Sequence, residues 1–362
     1  MLLCTSCYMT MPFLPQLLSE HSSADNNSAS ITILAFVAGL YLSGLPSNWL
    51  IQRYRRNKVC LFSAAAFGLL LPCLFAIEKH YIPNIGKQMF LLLSAAASLL
   101  SGATFGLAKR TLSCTLLIDK TEPHHRTEAN YAAISVARMA VAVGPVLYLT
   151  LKHAIPSLWY YAVAATFIII AIFFVLTTDF PFRAPEECTK KMSTDRFFLP
   201  QGKKVFLGIS SFTIILGLIM YKNPATSFFA PLLFGFLCAT IALRFPSIRE
   251  RKYALPTSMI VFAFPAIALT STALPMVAKI IMAAFIGLGL GTSCSFLLFQ
   301  MLGLCKHCQR STAESTYFLA ADGGILLGIA LANTYGSHTT SIIAALCCLM
   351  VPTTIKRTTL RQ

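Results

Sequence analysis

The chain has 362 residues, 56% of them hydrophobic and 12% charged, with a formal net charge of +16 and a mean hydropathy of +0.69. Soluble domains run at about 45–50% apolar and about 25% charged, so these values exclude a soluble globular protein and imply a polytopic membrane protein. The positive charge would read as a nucleic-acid surface in a soluble chain; here it has first to be set against loop topology.

Segments long enough to cross a bilayer, at about 20 residues each, fall in chain order at 1–18, 31–51, 59–77, 89–118, 131–151 and 158–178. Six more follow at 205–221, 227–244, 255–272, 275–304, 315–334 and 339–355. The expected fold is an all-α membrane protein of twelve transmembrane helices in two six-helix bundles, 1–178 and 205–362. The polar stretch DFPFRAPEECTKKMSTDRFFLPQGKK at 179–204, rich in Pro and charge, is expected to be an extramembrane linker. The first segment begins at Met1 without a charged lead-in, which predicts a shortened first helix or a misplaced start rather than a cleaved signal peptide. Most of the twelve cysteines lie inside apolar runs, where a thiol behaves as a small hydrophobe, so no disulfide framework is expected.

Loop charge sets the orientation, because cytoplasmic loops keep the Lys and Arg excess. The side holding the even-numbered loops, the linker and the C-terminus carries twenty-one of the 29 basic residues, and the other side carries four, Lys79, Lys87, Lys152 and Lys222. Both termini are therefore expected to be cytoplasmic, and topology accounts for most of the +16, leaving no nucleic-acid surface. Lys109, Arg110, Arg138 and Lys279 remain, all inside spans.

The two halves share a spacing. Arg126 is followed twelve residues later by Arg138 and six after that by Gly144; Arg310 is followed twelve later by Asp322 and six after that by Gly328. GATFG at 102–106 corresponds to GLGLG at 287–291, each with glycines four apart in the fourth span of its half. Glycines so spaced let helices approach closely, and a repeated half is the usual build of a transporter.

GATFGLAKRTLSCTLLID (102–119), PHHRTEANY (123–131), VAVGP (141–145) and AESTYFLAADGGILLG (313–328) resemble helices four, five and eleven of the bacterial efflux-permease branch of the major facilitator superfamily. YMTMPFLPQLL (8–18) is similar to the end of that branch's first helix. The resemblance covers nearly the whole chain and implies two pseudo-symmetric bundles alternating access around a central cavity. It implies gating roles for Arg126 and Glu128, which match the family's Arg-x-Glu, for the Gly144–Pro145 element and for Arg310. The superfamily's loop pattern Gly-x-x-x-Asp-Arg-x-Gly-Arg is altered: NWLIQRYRR (48–56) keeps Arg53 and Arg56 but has Asn48, Gln52 and Arg55 where Gly, Asp and Gly are expected. Gln52 can hydrogen-bond but cannot form the family's ion pair.

Ionisable residues inside a membrane usually face a bundle interior or a wet cavity and mark substrate or ion paths. Asp322, roughly 11 Å into its helix, is the one acid expected well inside a span, and two readings follow: a proton-coupling site or a structural ion pair. Lys109 and Arg110 stand near the midplane but about 100° apart around their helix, so at most one aims squarely at the cavity. With Arg138 they would give the cavity a net positive charge. Tyr8, Phe105 and Gln300, on helices one, four and ten, are further candidates for substrate contact.

The pairs Cys4/Cys7 and Cys305/Cys308 each lack the second pair that structural zinc requires, and no nucleotide-binding or hydrolytic constellation is present. The chain is thus expected to be no enzyme, to need no cofactor or metal, and to work with a small-molecule substrate, protons and the lipid bilayer in a bacterial inner membrane. The leading expectation is proton-coupled export of a small organic molecule; the alternatives are import of an anionic metabolite and a transport-inactive receptor or scaffold.

Overall fold

The computed structural model describes residues 1–16, 26–78, 87–122, 125–152, 154, 157–180, 191–194, 196–245, 253–271, 274–306 and 309–335. Eleven of the twelve expected spans fall among them and all are helical: α1 (Leu2–Thr10), α2 (Asn26–Leu42), α3 (Arg56–Glu78), α4 (Lys87–Thr111), α5 (Arg126–Lys152), α6 (Ser157–Thr177), α7 (Lys203–Lys222), α8 (Thr226–Ala242), α9 (Ala254–Ser271), α10 (Met276–Gly303) and α11 (Arg310–Thr334). The twelfth, 339–355, lies outside the described residues. Among those described, seven helices are long and apolar enough to cross a membrane, or eight with a bent pair counted as one span. The chain is a multi-pass membrane protein.

Two spans depart from the straight rods expected. The second turns by 44° between Leu42 and Gly44 and continues as Gly44–Arg53. Pro46 sits in the first turn of the second arm, where its missing N–H and its ring break the ladder back to Leu42. The fourth runs from Lys87 to Lys120 but loosens into a π turn at Leu112–Leu116. That turn directly follows Lys109, Arg110 and Thr111, a placement such turns often take beside functional residues.

Packing follows the repeat. In the first half α1 packs on α5, α2 on α4, and α3 on α4; the equivalent pairs in the second half, α7 with α11, α8 with α10, and α9 with α10, are also in contact. The halves meet through α2 with α11 and α5 with α8, which the same correspondence exchanges, as a pseudo-two-fold axis requires. α11 is 83% buried over its apolar window, whereas α6 is 28% buried, so α11 is central and α6 peripheral. Ile169, Phe173, Phe174 and Leu176 of α6 are exposed, as a lipid-facing surface should be, since every backbone polar group is already satisfied within the helix.

Aromatic contacts join the halves at both ends. Toward Lys152 and Lys222, Phe13 stacks on Tyr148 at 4.0 Å between centroids and meets Phe229 edge-on at 6.3 Å. Toward Arg126 and Arg310, Tyr131 stacks on Phe299 at 5.7 Å. The cavity lining lies between these two layers.

Candidate functional site

Between the aromatic layers lies a cavity of about 30 Å³, room for a water or two. Its polar wall is Tyr8 of α1, Lys109 of α4, Arg138 of α5, Tyr317 and Asp322 of α11, and Thr213 of α7; Ile134, Val141, Leu290 and Ile325 are among its apolar residues. Five of these side chains, Tyr8, Lys109, Asp322, Arg138 and Tyr317, are drawn together by sequence-distant hydrogen bonds.

Asp322 is held from two sides. Lys109 Nζ donates to its Oδ2 at 2.5 Å and Tyr8 Oη donates to its Oδ1 at 2.7 Å. Both charged side chains are 5% exposed. In low dielectric such a pair survives only with close geometry and further hydrogen bonds, and Tyr8 supplies one. Phe318 flanks the ammonium at 4.2 Å from its ring centroid and Phe105 at 5.7 Å. The bridge ties α4 of the first half to α11 of the second, so any opening of the halves at this level must break or exchange it.

Arg138 also crosses between halves. It donates through Nη1 to the Gly291 carbonyl at 2.6 Å and to Ser295 Oγ at 3.1 Å, and through Nη2 to Tyr317 Oη at 2.8 Å. All three acceptors are neutral. Arg110 does not line the cavity: it donates to the Leu40 carbonyl at 2.6 Å and Ser43 Oγ at 2.7 Å, with its guanidinium 5.3 Å from the ring centroid of Phe197. The turn of about 100° between adjacent helical residues sends Lys109 inward and Arg110 to α2 and the linker. The charge tally of three cations and one acid therefore becomes two cations and one acid.

Two other expected cavity residues lie elsewhere. Phe105 is buried against Phe36 and Phe67, with centroids at 6.0 and 5.4 Å, and Gln300 stands one turn from the end of α10, with its side-chain carbonyl buried and unpartnered. Phe105 lies one turn from Lys109 on the same face of α4 and backs its ammonium without lining the cavity, whereas α10 reaches the cavity through Leu290 and Cys294.

The residues with expected gating roles spread over one end of the molecule. Arg56 forms an ion pair with Asp119, from the last turn of the fourth span. That supplies by rearrangement the acid missing at Gln52, which is half-buried, while Arg53 is exposed. Glu128 is exposed and accepts from His125 at 3.0 Å. Arg126 is half-buried with an unpartnered Nε, and Arg310 is half-buried at the start of α11. Gly144 faces α1 so closely that a Cβ would stand 2.7 Å from the Tyr8 carbonyl carbon; Pro145 follows within the same helix. Gly144 thus sets how near Tyr8 approaches the core.

One buried acid escaped the sequence reading. Glu314, in the second turn of α11, is fully buried and neither carboxyl oxygen has a hydrogen-bond partner among the described residues. The expected span begins at 315, one residue past it. The usable signal was AEST at the head of an apolar run, an acid not needed for a solvated first turn. A buried polar group without a partner costs about 1–3 kcal/mol, so Glu314→Met is expected to raise the thermal stability of the purified protein by about that amount. A lowered melting temperature would show that Glu314 has an essential partner.

The Major Facilitator Superfamily sequence profile matches residues 1–355. Among solved structures, the E. coli fucose:proton symporter FucP superposes with a TM-score of 0.61 at 11% identity, over 99% of this chain and 97% of that one. FucP in its outward conformation gives a TM-score of 0.60 at 13% identity, with the same coverage. No curated protein matches the chain by sequence.

Proposed function

Because this chain belongs to the major facilitator superfamily, a family of membrane transporters, we propose that it is a secondary active transporter driving export of a small organic molecule with protons. The observation that carries the reading is Asp322, bound by Lys109 and Tyr8 at the wall of a cavity between the halves. A proton delivered to Asp322 removes one partner of the bridge joining α4 to α11, so proton binding and separation of the halves are the same event. The moving units are 1–178 and 205–362, joined by the linker 179–204. Asp322 is the coupling site; Lys109, Arg138 and Tyr8 form the substrate wall; Arg56, Arg126, Arg310, Gly144 and Pro145 act in gating.

The loop charge bias supports cytoplasmic termini, and the resemblance to bacterial permeases supports a bacterial inner membrane. The proton coupling named for FucP favours protons as the driving ion. Antiport fits the resemblance of helices four, five and eleven to efflux permeases. Import of an anionic metabolite is the second reading, favoured by Arg138, whose acceptors are all neutral.

The test is flux in proteoliposomes across a broad panel of organic solutes, with a pH gradient imposed in either orientation. Antiport predicts solute movement opposite to the protons. Movement with the protons would replace export by import. No movement of any solute under either gradient would retire transport in favour of a scaffold.

A further inference from the structure

We propose that the transported molecule carries a single anionic group, and that this group docks on Arg138. The inference rests on the cavity being the translocation site, and it holds for either direction of transport.

Charge is the first argument. The described cavity wall holds Lys109, Arg138 and Asp322. Lys109 and Asp322 cancel each other at 2.5 Å, so the wall is left with one positive charge, at Arg138. A cation met only by neutral groups among the described residues is expensive in a membrane interior. An anion beside it removes that charge, so the loaded cavity closes as a neutral unit while a neutral solute leaves the cost in place.

Donor geometry is the second argument. A guanidinium offers five N–H groups. Arg138 spends three, two through Nη1 on Gly291 and Ser295 and one through Nη2 on Tyr317. One Nη2 hydrogen and the Nε hydrogen have no hydrogen-bond partner among the described residues. Nε and Nη2 share one edge of the planar group, an edge from which a guanidinium takes a carboxylate or sulfonate. The three bonds already made fix the plane, so little ordering remains to be done when the anion arrives. Tyr317 Oη, a neighbour on the cavity wall, is a further hydroxyl for the anion or its body.

The walls describe the rest of the molecule. Ile134, Val141, Leu290 and Ile325 surround the polar cluster, so the body is apolar. A dianion is disfavoured, because it would carry the wall from one net positive charge to one net negative.

The experiment compares matched anionic and neutral ligands on the purified full-length protein. Benzoate is set against benzamide, and benzenesulfonate against benzenesulfonamide, with benzylamine as the cationic member. Binding is read from the shift in thermal unfolding with ligand concentration. Each anion is expected to bind at least about tenfold more tightly than its neutral twin, as a charge-assisted bidentate contact implies. Arg138→Gln removes that preference and leaves the neutral twins unchanged; Arg138→Lys keeps the charge without the fork and gives an intermediate value. The wild-type comparison needs no variant, so a misfolded Arg138→Gln does not spoil it.

Equal binding of twins, tighter binding of benzylamine, unchanged anion binding in Arg138→Gln, or no binding anywhere in the panel each overturns the proposal. Flux of benzenesulfonate, which does not cross lipid unaided, separates the two readings. Anion binding without flux retains the Arg138 site and retires transport; flux of neutral or cationic solutes with no anion preference retains transport and retires the Arg138 site.

Discussion

Replacing Asp322 with asparagine is expected to abolish pH-gradient-driven flux and to lower the stability of the protein by about 3–5 kcal/mol, the cost of leaving a buried ion-pair partner alone. The abandoned partner is Lys109, whose side chain is 5% exposed and whose one hydrogen bond among the described residues is to Asp322. The two losses are separable. The double variant Lys109→Met with Asp322→Leu removes both charges, and replacing a buried pair by apolar groups is often neutral or stabilising. It should recover most of the thermal stability lost in Asp322→Asn and none of the proton-driven flux. If Asp322→Asn kept full gradient-driven flux, Asp322 would be a structural tie and the coupling site would lie elsewhere. Recovery of flux in the double variant would point to the same conclusion, because that variant can neither hold a proton at position 322 nor form the bridge.

A valine at Gly328 or at Gly144 is the second large expected effect. At Gly328 a Cβ would stand 2.2 Å from the Ile214 carbonyl oxygen, and at Gly144 it would meet the α1 backbone at Tyr8, Met9 and Thr5 between 2.7 and 2.9 Å. These obstacles are backbone atoms, so no side chain can swing away and whole helices must part. Overpacking of this kind costs about 1–3 kcal/mol or more. The two positions occupy the same place in the repeat, Gly144 closing α5 onto α1 and Gly328 closing α11 onto α7. Gly303→Val is the control, since nothing stands within 4 Å of a Cβ there. Thermal melts in detergent should show both variants well below the wild type and the control close to it. Gly144→Val has a further consequence: it pushes Tyr8 away from Asp322, so its flux should fall further than its stability does. A melting temperature unchanged in both glycine variants would mean the helix pairs are not in the close contact described.

The positions of these residues along the chain carried a good deal of this. Composition, span lengths and the quoted motifs were enough to identify the superfamily and an all-helical membrane fold, because a bilayer permits so few ways of satisfying a backbone. The matching spacings from Arg126 to Gly144 and from Arg310 to Gly328 announced the repeat that the helix contacts follow. Asp322, Lys109 and Arg138 stood out for a related reason: in a chain with 12% charged residues, a charge within a span is rare and costly enough to be noticed singly.

What a charge does once noticed was beyond the linear pattern. Lys109 and Arg110 are neighbours of like chemistry, and only the packing of α4 against α11 on one side and α2 on the other assigns one to Asp322 and the other to Leu40 and Ser43. Asp322 and Arg138, equivalent in the repeat, have different partners, since a pseudo-two-fold relates backbones but leaves side chains free to differ. The Arg56–Asp119 bridge joins residues 63 positions apart, where no spacing rule operates. Glu314 shows the same limit, for its burial comes from neighbours contributed by other helices. Periodicity and hydropathy act over a turn or two of one helix, and so they decide where helices run. Which side chains meet depends on how helices far apart in the chain are rotated against each other, and only their packing sets that.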